Sequence, residues 1–330
     1  MTVVNQQPLV SVVTPFFNAA PYLAECIKRT LAQTYGNFEL ILVNNCSTDI
    51  SEDIAKEYVW RDHRVHLFNN SDFVGQVENY NGALARISDD SKYCKIVQAD
   101  DWLFPECLAE MVRVAESDTR IGVVGSYYLQ GLFVRGSGIE VGRSKVAGGE
   151  VCRIQILQGR FFMGSPTTLM FRSEVVRSRK PFYAEGRYHE DTEAAYEILQ
   201  QHDFGFCHQV LSYIRIESNS ITGLRQSFNP DLLDRLIIIE RYGRSFLAER
   251  EFVEQLAKIR REHERFLAKC VLKFRGQPLW KYHRDGLRTI DRAMPWPGIA
   301  VQGVDIILDL LLNPKATLGR LLRLTKRVGK

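Results

Sequence analysis

Several familiar signatures are missing from this 330-residue chain, and each absence removes a class of function. There is no GxxxxGK[ST] run and no GxGxxG; Gly136 and Gly138 are mis-spaced for the latter and come late in the chain. That argues against a P-loop ATPase, a kinase and a conventional dehydrogenase. The seven cysteines (26, 46, 94, 107, 152, 207 and 270) are odd in number and form no CxxC pair. Their scatter speaks against a disulfide framework or a zinc site and predicts a reducing compartment. No apolar run reaches the length of a membrane span: Gly298 to Leu312 is broken by Gln302, Asp305 and Asp309. The opening MTVVNQQPLVSVV has no basic segment followed by a long apolar one, so no signal peptide and a cytoplasmic location are expected. Neither sign of charge dominates: the formal net charge is only +4, and no nucleic-acid partner is expected.

What remains is an ordinary globular composition, 45% hydrophobic and 25% charged. Residues 9–14, LVSVVT, read as a buried strand ended by Pro15, and Pro21 opens a helical pattern. Strands follow at 38–43, 65–68 and 93–97, alternating with helices at 51–58 and 76–87. Strand alternating with helix predicts an α/β fold with a mainly parallel sheet, which binds ligands at the carboxyl ends of its strands. Thr14–Asn18, Asn44–Asp49 and Asp100–Asp101 all fall at such ends. Further on, 121–128 is strand-like, the glycine-rich 131–149 reads as a loop or hairpin, 190–200 is helical and 204–216 is strand-like. From Pro230 to about Phe274 the pattern is helical, charged and amphipathic.

Two acidic clusters carry the chemistry. In IVQADDW, Asp100 and Asp101 follow a buried strand, where adjacent carboxylates repel unless something neutralises them. A nucleotide held with Mg²⁺ or Mn²⁺ needs only one or two protein carboxylates besides its phosphates. The plainer alternative has Asp101 capping the helix after Pro105 and Asp100 in solvent. In YHEDTEAAYEIL, His189, Glu190 and Asp191 open an amphipathic helix. Acids there suit the helix dipole, or supply a general base for a substrate hydroxyl.

The stretches PLVSVVTPFFNAAPYLAECIKRTLAQTYGNFELILVNNCSTD, VQADDWLFPECL, SPTTLMFRSEVV and HEDTEAAYEIL together resemble the family 2 glycosyltransferases. The likeness spans roughly residues 8–220, with four motifs in matching order and spacing. It implies a GT-A fold: a Rossmann-like, mainly parallel sheet flanked by helices, with a helical C-terminal extension. Residues 1–225 would form the catalytic domain, with a nucleotide-binding half at about 8–108 and an acceptor half at about 109–225. Residues 226–330 would form a helical region with a basic amphipathic tail.

By the same resemblance, Thr14, Pro15, Phe16 and Asn18 lie beside the nucleotide, and Asn45 stands where the family usually has an acid holding the base. Asp100 falls on the last acid of the metal-binding DxD element, with Asp101 supporting it and Gln98 at the first acid's place. Asn81 joins the donor-binding set. Asp191 matches the catalytic base, with Glu190 beside it and Arg172 on the acceptor side. The implied reaction is inverting transfer from a UDP-, dTDP- or GDP-linked sugar to a glycan or lipid-linked acceptor, in bacterial surface-polysaccharide assembly. Asn44, Asn45 and Gln98 depart from the usual acids, so a non-catalytic binding or scaffold subunit stays open. Glu217, where relatives often have His, could restore a metal ligand.

The tail GIAVQGVDIILDLLLNPKATLGRLLRLTKRVGK places Asp305 and Asp309 on one helical face, with Ile306, Ile307, Leu310 and Leu311 opposite. From Lys315 to Lys330 it has six Lys or Arg and no acid. Two readings are open for 298–330: a helix packed on the domain or in a homodimer, and a peripheral membrane anchor.

Overall fold

The apolar, β-branched runs of the first hundred residues become central parallel strands because helices cover both faces of their sheet. The structure is a computed structural model that describes residues 7–159, 163–185, 190–216 and 228–313; His189, Glu217 and the basic tail from 314 onward lie outside the described residues. β1 (Val10–Phe16), β2 (Phe38–Asn44), β3 (Val65–Asn69) and β4 (Tyr93–Ile96) alternate with α1 (Ala20–Leu31), α2 (Ser51–Arg61) and α3 (Gln76–Leu84). β1 pairs in parallel with β2 and with β4, and β2 with β3. Pro15 continues β1 rather than ending it. The Val13 carbonyl accepts from the Val97 N–H, so residue 15 faces the same flank, beyond the last β4 partner at Ile96. Its missing N–H removes no ladder bond.

The chain goes on through β5 (Trp102–Leu103), α4 (Cys107–Glu116), β6 (Ile121–Gln130), β7 (Phe133–Arg135), β8 (Lys145–Val146) and α5 (Gly148–Gln158). A 3-10 turn (Pro166–Thr168), β9 (Met170–Arg172), α6 (Ser173–Ser178), α7 (Glu190–Ile198) and β10 (Asp203–Ile214) follow. The sheet order is β3-β2-β1-β4-β9-β6-β10-β5, with β7 on β6 and β8 on β10. The glycine-rich stretch is therefore partly strand. Strand order reverses between β1 and β4, which places a crevice over their carboxyl ends. Arg172, in the acceptor-side segment, is turned into the fold. It is 7% exposed, and its guanidinium donates to the carbonyls of Ile121 (2.6 Å), Ala115 (2.7 Å) and Asp118 (3.0 Å), tying β9 to the α4–β6 turn.

Two compact units make up the chain, Met1–Gly223 and Leu224–Lys330. The second holds α8 (Pro230–Phe246), α9 (Glu249–Leu272), α10 (Gln277–Arg288) and α11 (Trp296–Leu312). Leu267, Ala268, Cys270, Leu279 and Ile299 form a small core there. Beside it two buried histidines meet, His263 Nε2 to His283 Nδ1 at 3.0 Å, and His283 Nε2 lies 2.8 Å from the Phe228 carbonyl. A carbonyl can only accept, so His283 carries its hydrogen on Nε2 and takes one from His263 on Nδ1. Among the described residues no helix is long and apolar enough to cross a membrane.

Candidate active site

Register sets the floor of the crevice. Phe16, Asn44 and Asn69 stand side by side at the ends of β1, β2 and β3. Around them runs an asparagine network with one carboxylate at its edge, Glu52, which accepts from Asn69 Nδ2 at 3.1 Å and from Asn44 Nδ2 at 3.5 Å. Asn44 Nδ2 donates to Asn69 Oδ1 at 3.0 Å, and Asn44 Oδ1 accepts from the Ser47 N–H at 3.0 Å. Asn45 Oδ1 accepts from the Val74 N–H (3.0 Å) and Asn70 Nδ2 (3.1 Å), while its Nδ2 donates to the Val74 carbonyl (2.8 Å). With both lone pairs and one N–H used, Asn45 fixes the 70–74 loop and keeps one N–H to offer. Asn18 Oδ1 accepts from the Thr48 N–H at 2.8 Å, clamping the Ser47–Thr48 turn to the end of β1. Asn18 and Cys46 adopt left-handed backbone, φ 47° and 59°, conformations a β-carbon disfavours and the two clamped turns hold in place.

Thr14 and Pro15 are buried in β1. Phe16, expected beside a nucleotide, is 2% exposed and belongs to the hydrophobic core. Its neighbour faces the other way: Phe17 is 45% exposed and meets Phe73 edge to face, ring centroids 4.9 Å apart. Of two adjacent phenylalanines at a strand end, one must point inward and one outward. The sequence contained that signal.

After β4 the QADD turn is held from beneath. The Gln98 N–H donates to Thr167 Oγ1 (3.0 Å), and the Thr167 hydroxyl donates to Asp101 Oδ2 (2.6 Å). Asp101 Oδ1 accepts from the Arg215 N–H (3.0 Å), and Arg215 Nε donates to the Asp100 carbonyl (3.0 Å). Fully buried Lys95 donates from Nζ to the carbonyls of Thr167 (2.6 Å) and Leu169 (3.2 Å), fastening the 3-10 turn that carries Thr167. Asp101 caps no helix. It is 2% exposed with both oxygens engaged by the protein, and burial first, then the charge of Asp100, pushes its carboxyl up to about 7. Asp100 is half-buried. Thr167, Lys95 and Arg215 had no local motif to announce them, because their partners lie tens of residues away.

One hydroxyl joins the two acidic clusters. Tyr80 accepts from Gln98 Nε2 and from Gln76 Nε2, both at 2.8 Å. Its phenol is pushed up, mainly by burial and in lesser part by the carboxylates of Glu190 and Asp100. Tyr183, packed against Tyr80 with centroids 6.2 Å apart, is raised by burial and then by Asp191 and Glu190. The acids of α7 and the acid after β4 therefore act on one tyrosine pair. Asn81 serves this junction. Its Nδ2 donates to the Tyr183 carbonyl (2.9 Å) and its Oδ1 accepts from the Tyr183 N–H (2.8 Å), pinning the segment before α7 to α3. Glu190 and Asp191 are half-buried, and Asp191 Oδ1 accepts from the Thr192 N–H at 2.7 Å. Tyr128, whose phenol also feels Asp191, lines an open concavity of about 590 Å³ with Gln130, Val134, Arg135 and Gly136.

A divalent cation suits this donor set. Two adjacent carboxylates stand half-buried and buried, and among the described residues no trio of His, Cys, Asp and Glu gathers to hold an ion without a ligand's help. Asp100 would bind such an ion together with phosphate oxygens, and Asp101, its oxygens already engaged, would position Asp100.

Comparison with known proteins narrows the class. Residues 11–177 match the sequence profile of Glycosyl transferase family 2. Glycosyltransferase GlyG of Streptococcus pneumoniae is 36% identical over 124 residues, 36% of this chain and 39% of that protein. TuaG of Bacillus subtilis, named for teichuronic acid biosynthesis, is 35% identical over 97 residues, 29% of this chain and 38% of that protein. An uncharacterized glycosyltransferase of Haemophilus influenzae is 28% identical over 218 residues, 65% and 82% of the two chains. The chain thus spans well under half the length of GlyG and TuaG. Among solved structures, Staphylococcus aureus TarS with UDP superposes with a TM-score of 0.59 at 16% identity, covering 86% of this chain and 81% of that one. Mannosyltransferase PcManGT from Pyrobaculum calidifontis, in complex with GDP-Man and Mn²⁺, gives 0.56 at 17%, covering 95% and 84%. At these identities the likeness is one of fold.

Proposed function

This chain belongs to glycosyl transferase family 2 and has the GT-A fold, and on that premise we propose that it is an inverting hexosyltransferase. It takes a sugar from a UDP-, dTDP- or GDP-linked donor and passes it to a hydroxyl of a glycan or lipid-linked acceptor. The observation that supports this most is the Tyr80 hydroxyl, which is bonded by Gln98 and Gln76 and, besides burial, raised by the carboxylates of both Glu190 and Asp100. On this reading a phosphate-side acid and a base-side acid face one cleft. Asp191 takes the proton from the acceptor hydroxyl. That oxygen attacks the anomeric carbon from the face opposite the diphosphate, the new C–O bond forms as the old one breaks, and the electron pair leaves on the nucleoside diphosphate. Glu190 supports Asp191 from the same helical turn. Mg²⁺ or Mn²⁺ at Asp100, when bound, would offset charge on the pyrophosphate. The exposed Phe17–Phe73 pair offers an aromatic surface for the base, with the remaining Asn45 N–H below.

The setting follows relatives named for teichuronic acid biosynthesis and for Eps proteins, which supports work in bacterial surface-polysaccharide assembly, in the cytoplasm or on the inner face of the membrane. Nucleoside diphosphate release from a panel of donors, with Mn²⁺ and with chelator, tests the reading. Asp191→Asn should lower turnover by about 10³-fold or more while donor affinity stays within about threefold. Silence with every donor, or loss of donor binding in Asp191→Asn, would leave the non-catalytic relative standing instead. The uncharged Asn44, Asn45 and Gln98, where the family usually has acids, are that alternative's support.

A further inference from the structure

Among the described residues, α11 carries a broad apolar face open to solvent. It packs on α9 through Ile299, with Ile306 at the edge of the same cluster. At 100° per residue those two share one side. Trp296, Val301, Val304, Ile307, Leu308 and Leu311 occupy another, 44–69% exposed. Gln302, Asp305 and Asp309 border them. The pattern that groups Ile306 with Ile307 opposite the two acids is thus divided, one inward and one outward.

At the start of this helix, Trp296 lies against Trp280, ring centroids 5.6 Å apart. Trp280 Nε1 donates to the Arg275 carbonyl (3.1 Å), which holds the ring beside the turn after α9. On that turn Phe274 is 94% exposed between Lys273 and Arg275. Past the other end of the helix, the sequence from Lys315 to Lys330 brings six cations and no acid. Apolar side chains, rigid aromatics and unopposed positive charge therefore share one short helix and its flanks.

We propose that this face docks on an anionic lipid bilayer, with α11 lying in the plane of the headgroups, its open side turned to the acyl chains and Lys273 and Arg275 on phosphates, while the positive charge of the sequence after it suits an anionic surface. The helix is too short and too interrupted by acid to cross the membrane, so it lies on it. An anionic bilayer meets both features, apolar side chains and the positive charge of the adjoining sequence, whereas a second copy would meet only the first. The docking surface extends the lipid-linked reading of the acceptor but needs neither donor nor acceptor to be tested.

The full-length chain should pellet with phosphatidylcholine vesicles containing phosphatidylglycerol, much less with phosphatidylcholine alone, and less again in high salt. Val304→Asp/Leu308→Asp/Leu311→Asp alters only exposed positions and should weaken vesicle binding about tenfold or more with unchanged circular dichroism. Should that variant misfold, Trp emission serves instead: vesicles should shift it to the blue, and Trp296→Phe should remove most of the shift. Equal pelleting by the variant, no preference for anionic lipid, or an unchanged Trp signal would overturn the proposal. So would a wild-type dimer that the triple variant turns into a monomer, for the face would then belong to a second copy. Donor turnover in vesicle-free buffer should survive the triple variant; a chain without turnover that still binds vesicles would fail the proposed function and leave this surface intact.

Discussion

Thr167 is the residue on which the phosphate side of the crevice rests, since its one oxygen accepts from the Gln98 N–H and donates to Asp101. Thr167→Val keeps the shape and removes both bonds, leaving buried partners unmet. It should cost about 1–3 kcal/mol in urea unfolding and loosen the turn carrying Asp100; Thr167→Ser should restore most of it, and equal stability of the valine variant would show the turn is held otherwise. Asp100→Ala should lower cation-dependent donor affinity about tenfold or more, measured by calorimetry with and without Mn²⁺. An affinity that ignores the substitution would remove Asp100 from the phosphates. At this scale the sequence was half legible. Asp100 and Asp191 stand out because acids at a strand end and a helix start are chemically loud. Phe16, expected beside the nucleotide, turns into the core while Phe17 is exposed, because only the pleat decides which of two adjacent rings turns inward. Thr167, Lys95 and Tyr80 were silent, their meaning arising from contacts 18 to 72 residues apart.

Elements were easier to read than contacts. The strands of the first hundred residues appear within a residue or two of their apolar runs, because a strand buried on both faces, as β1, β2 and β4 are, leaves a near-uninterrupted apolar signature. The glycine-rich 131–149, read as a loop or hairpin, does form a hairpin with β6 at β7, while β8 exists only because β10 offers an edge to pair with. In the helical unit, the His263–His283 contact joins α9 to α10 and fixes one tautomer. Burial, with the neighbouring ring for His263, lowers these histidines to about 3 and about 4, against an ordinary 6.5. Between about pH 6.5 and pH 4 the unfolded chain takes up protons that the folded pair refuses, so stability rises with pH across that window. Moving from about pH 7.5 to about pH 5 should cost about 2 kcal/mol for each histidine, read from urea unfolding of the helical unit. A midpoint that does not move would mean that the folded pair takes up protons over the same range as the unfolded chain.

For the molecule as a whole, the chain forms two compact units, with Asp100, Glu190 and Asp191 in Met1–Gly223 and the open apolar helix in Leu224–Lys330. Nucleoside diphosphate with Mn²⁺ should accordingly slow amide exchange in residues around β1, β2 and the QADD turn and leave α8–α11 unaffected. Protection confined to the helices would move the nucleotide out of the crevice. The division itself was visible in the change from alternating strands and helices to helix alone, whereas the exposure of α11 was not, since periodicity cannot tell a packed apolar face from a bare one. One earlier feature reaches further. Amides line the ends of β1, β2 and β3, and the carboxylate that Asn44 and Asn69 bond, Glu52, is held below its usual range by the Lys56 ammonium, so this network keeps one charge state above mild acid. Recognition of the nucleoside there should hold level from mild acid to mild alkali, so any swing in affinity with acidity in that range would have its origin at the pyrophosphate end.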